Sequence, residues 1–287
     1  MAGAALLSPL AIPAEEKPPR RTAVDQVPLG KTGLKLSRLG IGTGTNSGNV
    51  QRRLGHEEFN KLIRHAHDRG ITYIDTADAY QTHTWIREAI QGIPREKLFI
   101  QTKMPGTPED PLKEIDRFRK ELGVDYIDSL LVHCVVTKSW DEERKKVLDA
   151  LEEARQKKII RAKGASCHSL PALSRSVQLD WMDVHLVRVN PQGAHIDTPV
   201  EHWETKSDAS HVSEVLKLIK AMREKGHGII GMKIIGNGDF TKPEDREKSI
   251  RFAMRPDFLD AVVIGFKSPA EVDEAIQRMD AALAEKA

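Results

Sequence analysis

Short apolar segments alternate with longer amphipathic segments along the chain from about residue 27 onward. This alternation is typical of parallel strands joined by helical crossovers. Because eight apolar segments occur, each followed by a helical pattern, the sequence predicts a closed (β/α)8 barrel of the TIM type rather than an open doubly wound sheet. The predicted strands cover 39–43, 72–74, 98–101, 129–132, 160–165, 184–187, 229–232 and 261–264.

Start and stop signals predict the elements around these strands. An N-terminal hairpin is expected over 27–36, with its turn at 31–33. One helix should begin after the cap Asp110, with Pro111 at its first position, and should end at Gly123. Other helices are expected over 57–69, 141–158, 212–225 and 269–283, and the long segment 190–210 is expected to be an active-site loop.

Length and composition fit one barrel domain, which we expect to span 27–287 after a tail at 1–26. The 44 Lys and Arg residues nearly balance the 42 Asp and Glu residues, so nothing indicates a nucleic-acid partner. The two cysteines are too few for a disulfide framework or a Cys-based metal site, and no metal is expected. The sequence does not indicate an oligomeric state.

The tail contains a short apolar run at 2–14, followed by charged residues. The run is too short to span a bilayer, so no membrane association is expected. It resembles the apolar and cleavage portions of an export signal without the basic leading segment. A disordered tail on a cytoplasmic protein is the expectation, and export by a twin-arginine-type signal, if the start is truncated, is the alternative.

Four successive predicted strands are followed by ionisable or hydroxyl residues. Asp75, Lys103, His133 and Ser166 stand just past these strands, and Tyr80 lies five residues beyond Asp75. Barrels of this type carry their active residues on the face where the strands end. We therefore expect these side chains to share one rim.

The residue types match the needs of carbonyl reduction. Hydride addition to a carbonyl leaves an alkoxide that must gain a proton. Tyr80 can donate it if its pKa, about 10 in water, is lowered, as the Lys103 ammonium held by Asp75 would do. His133 can hydrogen-bond the carbonyl oxygen. Taken singly, each residue also has a structural explanation, such as an ion pair or packing under a loop.

Several segments are similar to those of the aldo-keto reductases. The similarity is carried by 29–43, 74–80, 94–103 and 131–133, and it covers about 27–283. It implies the tetrad Asp75, Tyr80, Lys103 and His133, with reduction of an aldehyde or ketone, or the reverse oxidation, using NAD(P)H. The implied partner is a small carbonyl substrate.

The resemblance also implies a cofactor that lies extended over the barrel mouth, consistent with the absence of a Gly-x-Gly-x-x-Gly motif after the first strand. In the family, Ser-Asn after strand five holds the carboxamide; here Cys167 stands in place of Asn, and Leu186 in place of a common Gln. The expected cofactor contacts are Gly42, Thr43, Ser166, Cys167, Arg188, Lys233, Ile234, Gly236, Phe266, Lys267, Ser268, Glu271 and Glu274.

The last helix bears on the choice between NADPH and NADH. Ser268 and Glu271 read as a capping box, whose helix N-terminus can bind a 2′-phosphate beside Lys267. Glu271 stands where NADPH-selective relatives usually carry Arg. The expected cofactor is therefore NADP, with NAD also accepted and weak discrimination between them.

Two functions of other classes stay open at this point. One is a barrel lyase in which Lys103 forms a Schiff base with a carbonyl substrate. The other is a non-catalytic nucleotide-binding redox sensor. His83 and Trp85 either border the substrate pocket or lie on the surface.

Overall fold

Eight parallel strands close into a barrel in the computed structural model, which describes residues 21–204 and 207–285. Neighbouring strands in the chain pair in order, and the last strand pairs with the first barrel strand through Val263 and Gly40. A two-stranded antiparallel hairpin precedes the barrel, as the sequence predicted. The strands are β1 Gln26–Pro28, β2 Lys35–Ser37, β3 Leu39–Gly42, β4 Tyr73–Asp75, β5 Phe99–Met104, β6 Ile127–Val135, β7 Ile160–Cys167, β8 Val184–Arg188, β9 Gly228–Met232 and β10 Ala261–Gly265.

The helices lie between the strands and end where the capping residues predict. Asp110 accepts a hydrogen bond from Lys113 N, Pro111 begins the helix, and Gly123 ends it in the left-handed conformation. The helices are α1 Asn49–Arg52, α2 Gly55–Asp68, α3 His83–Ala89, α4 Pro111–Leu122, α5 Trp140–Glu143, α6 Lys145–Gln156, α7 Leu170–Gln178, α8 Val212–Lys225, α9 Pro243–Ala253 and α10 Pro269–Ala284.

The single helix predicted over 141–158 is wrong, because the segment forms α5 and α6 with a break at Arg144. The Glu143 carboxylate accepts hydrogen bonds from the hydroxyls of Thr137 and Ser139, which ties the short α5 to the loop before it. The periodic charge pattern continues through the break, so it could not reveal it.

Two apolar layers hold the barrel together. Outward-facing strand residues pack against the helices, as Ile41, Ile74 and Ile100 do. Inward-facing residues such as Tyr73 and Phe99 fill the interior together with apolar side chains of the hairpin, which closes the end opposite the active rim. The alternation of side chains along each strand thus decides which residues can reach the mouth.

Strands β5, β6 and β7 run further than their apolar segments, so Lys103, His133 and Ser166 lie within strands rather than after them. The pairing of Lys103 with Leu131 extends β5, because neighbouring strands continue the ladder past the apolar residues. Among the described residues, no helix is both long and apolar enough to cross a membrane. The tail at 1–20 lies outside the described residues.

Candidate active site

Lys103 and Asp75 form a buried ion pair at the base of the barrel mouth. The Lys103 ammonium donates to both Asp75 carboxylate oxygens at 2.8 Å and to the Thr76 carbonyl at 2.7 Å. Lys103 is 1% exposed, and burial lowers its pKa although Asp75 acts in the opposite direction. With three acceptors around its ammonium, Lys103 is poorly placed to attack a carbonyl carbon as a Schiff-base lysine would.

Tyr80 ends a 3-10 turn, Asp78–Tyr80, that follows β4. Two glycines make room for it: a Cβ at Gly44 would lie 2.4 Å from the Tyr80 ring, and one at Gly48 would lie 2.8 Å from the Tyr80 carbonyl oxygen. The Lys103 ammonium lies 5.0 Å from the ring centroid. The loop after β3 is thus shaped around this phenol.

The pKa of Tyr80 differs from the sequence-based expectation. Burial, and then the negative charge of Asp75, raise the pKa of the phenol above its usual value. The Lys103 ammonium opposes this rise, but its charge is offset by Asp75, which accepts two hydrogen bonds from it. Tyr80 is therefore a neutral phenol at neutral pH, the form that can donate a proton.

His133 approaches the Tyr80 hydroxyl from β6. A bulge between Val132 and Val135 interrupts the pairing with β7 at this residue, and such bulges commonly redirect side chains at barrel rims. The His133 Nε2 lies 3.4 Å from the Tyr80 hydroxyl, with the rings at 85°. Burial, and then the charges of Lys103 and Lys233, lower the pKa of His133 to about 3, so the imidazole is neutral.

A cleft of ≈ 800 Å³ opens above this pair of side chains. The loop between β8 and α8 forms one wall and places the half-exposed indole of Trp203 there. Its lining residues include Tyr80, His133, Cys134, His168, Arg188, Trp203 and Lys233. The cleft is large enough for a small-molecule substrate beside the tetrad.

A groove leads from the tetrad to the N-terminus of α10 across the ends of β3, β9 and β10. It consists of two adjoining pockets of ≈ 70 Å³ and ≈ 260 Å³, which share Thr45, Ile235, Gly238, Ile264 and Gly265 as lining residues. The inner pocket also shares Tyr80 and Lys233 with the cleft. The residues along this path could hold an extended dinucleotide, with its reactive end at Tyr80 and its far end at α10.

The predicted cofactor residues divide between these spaces. Gly42, Lys233 and Ile234 line the inner pocket, and Phe266, Lys267, Glu271 and Glu274 line the outer pocket. Arg188 lines the substrate cleft instead. Gly236 is buried with a φ of +58°, where a Cβ would lie 2.8 Å from the Phe240 ring, so it shapes the loop over the groove.

Ser166 bears on the cofactor's fit, although it is not among the residues that line the groove or the cleft. Its hydroxyl is buried at the end of β7 and has no hydrogen-bond partner among the described residues. A buried hydroxyl without a partner costs free energy, which a ligand amide would remove. This observation agrees with a carboxamide bound at Ser166.

Thr43 and Cys167, two other expected contacts, face away from the groove. The Thr43 hydroxyl is buried and hydrogen-bonds Thr82 and the Asp75 carbonyl. Cys167 packs between barrel and helices, with Ser176 of α7 hydrogen-bonded to it, and burial raises its pKa. Because strand side chains alternate, Ser166 facing inward sends its neighbour Cys167 outward.

The N-terminus of α10 has the predicted cap. The Ser268 hydroxyl accepts from Glu271 N, and the Glu271 carboxylate reaches back to Lys267 N at 2.7 Å. Beside it, Glu274 pairs with Arg246 and Arg278. The outer pocket thus presents both signs of charge to the far end of a bound dinucleotide.

His83 and Trp85 do not border the cleft. His83 is buried and hydrogen-bonds Glu121 and Thr102, and Trp85 packs edge-on against Phe59. A metal-like grouping of Asp78, His83 and Glu121 occurs here, but the Arg117 guanidinium already pairs with both carboxylates. These residues stabilise the helical layer.

Sequence reasoning missed four residues of the site. Gly44 gives Tyr80 its space, Met232 lines the inner pocket, Asn237 accepts from Lys233 Nζ at 2.8 Å, and Arg246 lines the outer pocket. Gly44 carried a signal, as a glycine one residue past a predicted strand end. Asn237 lies only four residues from Lys233, whereas Arg246 of α9 reaches the outer pocket beside Glu274 of α10.

The comparisons with known proteins agree with this architecture. The Aldo/keto reductase family model matches residues 38–287. A probable aldo-keto reductase of Glycine max is 30% identical over 179 residues, covering 55% of this chain and 51% of the relative. The NADH-specific methylglyoxal reductase of Escherichia coli is 26% identical over 185 residues, covering 55% of this chain and 57% of the relative.

Among solved structures, a putative aldo-keto reductase from Pseudomonas aeruginosa has a TM-score of 0.73 at 22% identity. The alignment covers 92% of this chain and 98% of that one, which shows a shared fold. The chain spans about half the length, or less, of the first curated relatives it matches.

Proposed function

The chain belongs to the aldo/keto reductase family, and we propose that it reduces an aldehyde or ketone to an alcohol with NAD(P)H, with Tyr80 as the general acid. One observation carries the proposal. The Tyr80 hydroxyl and His133 Nε2 lie 3.4 Å apart, above a buried ion pair and where the cleft meets the groove.

The two polar atoms can hold one carbonyl oxygen. A neutral imidazole donates a hydrogen bond from Nε2 to this oxygen, provided that it carries its proton there. The neutral Tyr80 phenol donates a second one. Together they orient the carbonyl and stabilise the charge that develops on oxygen.

The nicotinamide, when bound, supplies a hydride with its electron pair to the carbonyl carbon. Tyr80 then transfers its hydroxyl proton to the carbonyl oxygen, and the alcohol forms. The resulting phenolate lies near the Lys103 ammonium, which favours the negative charge. Lys103 thus opposes the rise in the pKa of Tyr80 that burial and the Asp75 charge cause.

Asp75 has the role of holding Lys103. Its carboxylate also accepts a hydrogen bond from Gln101 Nε2 at 2.8 Å. Asp75 at the end of β4 is thus held by two residues of the adjacent strand β5, Gln101 and Lys103. Fixed groups of this kind need no reorganisation during the reaction.

Both nucleotides are proposed as cofactors, with NADP the first candidate. Lys267 and the N-terminus of α10 favour a 2′-phosphate, whereas Glu271 lines the same pocket and opposes it. Glu274 also lines this pocket, but its charge is paired with Arg246 and Arg278. The discrimination against NADH is therefore expected to be weak.

The test is a screen of aldehydes, ketones and sugars with each nucleotide, monitored by nicotinamide absorbance, alongside a titration of nucleotide binding. Turnover of a carbonyl compound is expected. Tight nucleotide binding without turnover across the panel would contradict the proposal and favour the non-catalytic sensor. Borohydride trapping of substrate on Lys103 would favour the lyase.

A further inference from the structure

Two cationic side chains face the tetrad across the cleft. Arg188 ends β8, and Lys233 directly follows β9, whose Met232 pairs with Arg188. Both therefore project from neighbouring strand ends into the cleft that holds Tyr80 and His133. Arg188 is 3% exposed, so this is a buried cation rather than a solvated rim residue.

Lys233 has a neutral partner. Its ammonium donates to Asn237 Oδ1 at 2.8 Å, and within 21–204 and 207–285 no carboxylate lies within ion-pair distance of it. Its backbone has a φ of +61°, a left-handed conformation that residues other than glycine seldom adopt. Such conformations cluster at ligand sites, because the surrounding fold must hold them.

Arg188 faces a carboxylate that lies behind it. Its Nε is 3.6 Å from Asp197 Oδ1, and its Nη2 donates to the Trp203 carbonyl. Asp197 is fully buried, and both its carboxylate oxygens lack hydrogen-bond partners in the described parts of the chain. Burial raises the pKa of Asp197 to about 7, although Arg188 opposes this, so Asp197 offsets only part of the cationic charge.

Few acidic groups face the cleft itself. Asp75 is engaged with Lys103, and Glu204 is exposed on the long loop. The wall opposite the tetrad thus carries more positive than negative charge. Burying a cation without a counter-charge is costly, and the described partner of Lys233 is a neutral amide, so an anionic ligand would offset its charge.

We propose that the substrate is an aldehyde or ketone that also bears a carboxylate, and that Arg188 and Lys233 bind this carboxylate while Tyr80 and His133 bind the carbonyl oxygen. The inference rests on the proposed function for the carbonyl half. The anion that these cations bind could belong to the substrate or to the nucleotide. Arg188 favours the substrate, because it lines the cleft and not the groove. A carboxylate forms strong charge-assisted hydrogen bonds with guanidinium and ammonium groups.

The test compares 4-formylbenzoate with its methyl ester, which have the same reacting aldehyde and differ in charge. Wild-type protein should show a kcat/KM at least about tenfold higher for the carboxylate, the usual scale of a charged hydrogen bond. Lys233→Met and Arg188→Met should each move this ratio toward one. Lys220→Met, at a lysine that is 80% exposed on α8, should leave the ratio unchanged.

Arg188→Met leaves Asp197 buried without its partner, so it is paired with the double variant Arg188→Met/Asp197→Asn and with thermal melts. A loss of the ratio in the double variant, at a melting temperature near that of the wild type, supports the proposal. A wild-type ratio near one contradicts it. An unchanged ratio in Lys233→Met and Arg188→Met, together with weaker nucleotide binding, also contradicts it, because the two cations would then bind the cofactor.

A binding measurement separates this inference from the reaction. The fluorescence of Trp203, assigned with Trp203→Phe, reports binding of either compound in the cleft without turnover. If no carbonyl compound of the panel is reduced, the proposed function fails. The carboxylate site is then supported by at least about tenfold tighter binding of 4-formylbenzoate and contradicted by equal affinities.

Discussion

The two lysines at the barrel mouth have opposite surroundings. Lys103 is enclosed by three oxygen acceptors, two of them from the Asp75 carboxylate. Lys233 has an amide oxygen as its partner and faces both groove and cleft. The fold already uses the charge of Lys103, whereas the charge of Lys233 is available to a ligand.

The same contrast extends to the two sides of the mouth. On β4 and β5, the polar groups of the ion pair bond one another, and the Lys103 ammonium lies 5.0 Å from the centre of the Tyr80 ring. In the loop after β8, the buried Asp197 carboxylate has no hydrogen-bond partner within the described residues, as is also true of Ser166 Oγ on β7 and Gln101 Oε1 on β5. The first side holds its charges in an ion pair, whereas the second presents Arg188 to the cleft.

The largest effect is expected for Lys103→Met. Turnover should fall at least about 100-fold, since Tyr80 loses the charge that favours its phenolate. The variant should also be about 3–5 kcal/mol less stable, because Asp75 is left buried without a counter-charge. Urea unfolding and steady-state kinetics measure the two effects.

The double variant Lys103→Met/Asp75→Asn is the matched control for that experiment. Removal of both charges should restore most of the stability while turnover stays low. Recovery of turnover along with stability would mean that the ion pair is only structural.

A smaller change is expected at Glu271, whose carboxylate the fold already uses as a cap. Glu271→Arg should shift the ratio of NADPH to NADH affinities by about ten- to a hundredfold toward NADPH, the range for a charged hydrogen bond. Glu271→Gln keeps a capping group and removes the charge, so its shift should be smaller. An unchanged ratio in Glu271→Arg would show that position 271 serves the helix alone.

The smallest effect is a pH dependence at Lys233. Burial, and then the charge of Arg188, lower the pKa of Lys233 to about 8. Above this pH the ammonium loses its proton, so KM for 4-formylbenzoate should rise between pH 7 and 9 by up to about tenfold. The methyl ester is the control, and a parallel rise in its KM would exclude Lys233 as the cause. The other charged or titratable groups around Lys233 are Arg188, Lys103, Cys134, Asp239, His133 and His168.

The sequence predicted the barrel and the tetrad because both follow from local patterns. Apolar segments mark the strands, and the polar residue after each segment marks the rim, which placed Asp75, Lys103 and His133 near Tyr80. The bulge that turns His133 and the break at Arg144 are invisible to such patterns. They depend on pairing with β7 and on hydroxyls that bond Glu143.

The binding side was less predictable for a geometric reason. Arg188 and Lys233 are 45 positions apart in the sequence and become neighbours only through the pairing of β8 with β9. A one-residue step along β7 decides that Ser166 faces the interior and Cys167 the helices. A resemblance fixes the position of a residue in the chain but not the direction of its side chain.

The most direct test of the central claim is Tyr80→Phe, measured in single turnover with a verified carbonyl substrate and in a separate nucleotide titration. The substitution removes one hydroxyl and keeps the ring that packs at Gly44. The proposed role predicts a reduction rate at least about 100-fold lower with nucleotide affinity nearly unchanged. A near-normal reduction rate in Tyr80→Phe would contradict the account.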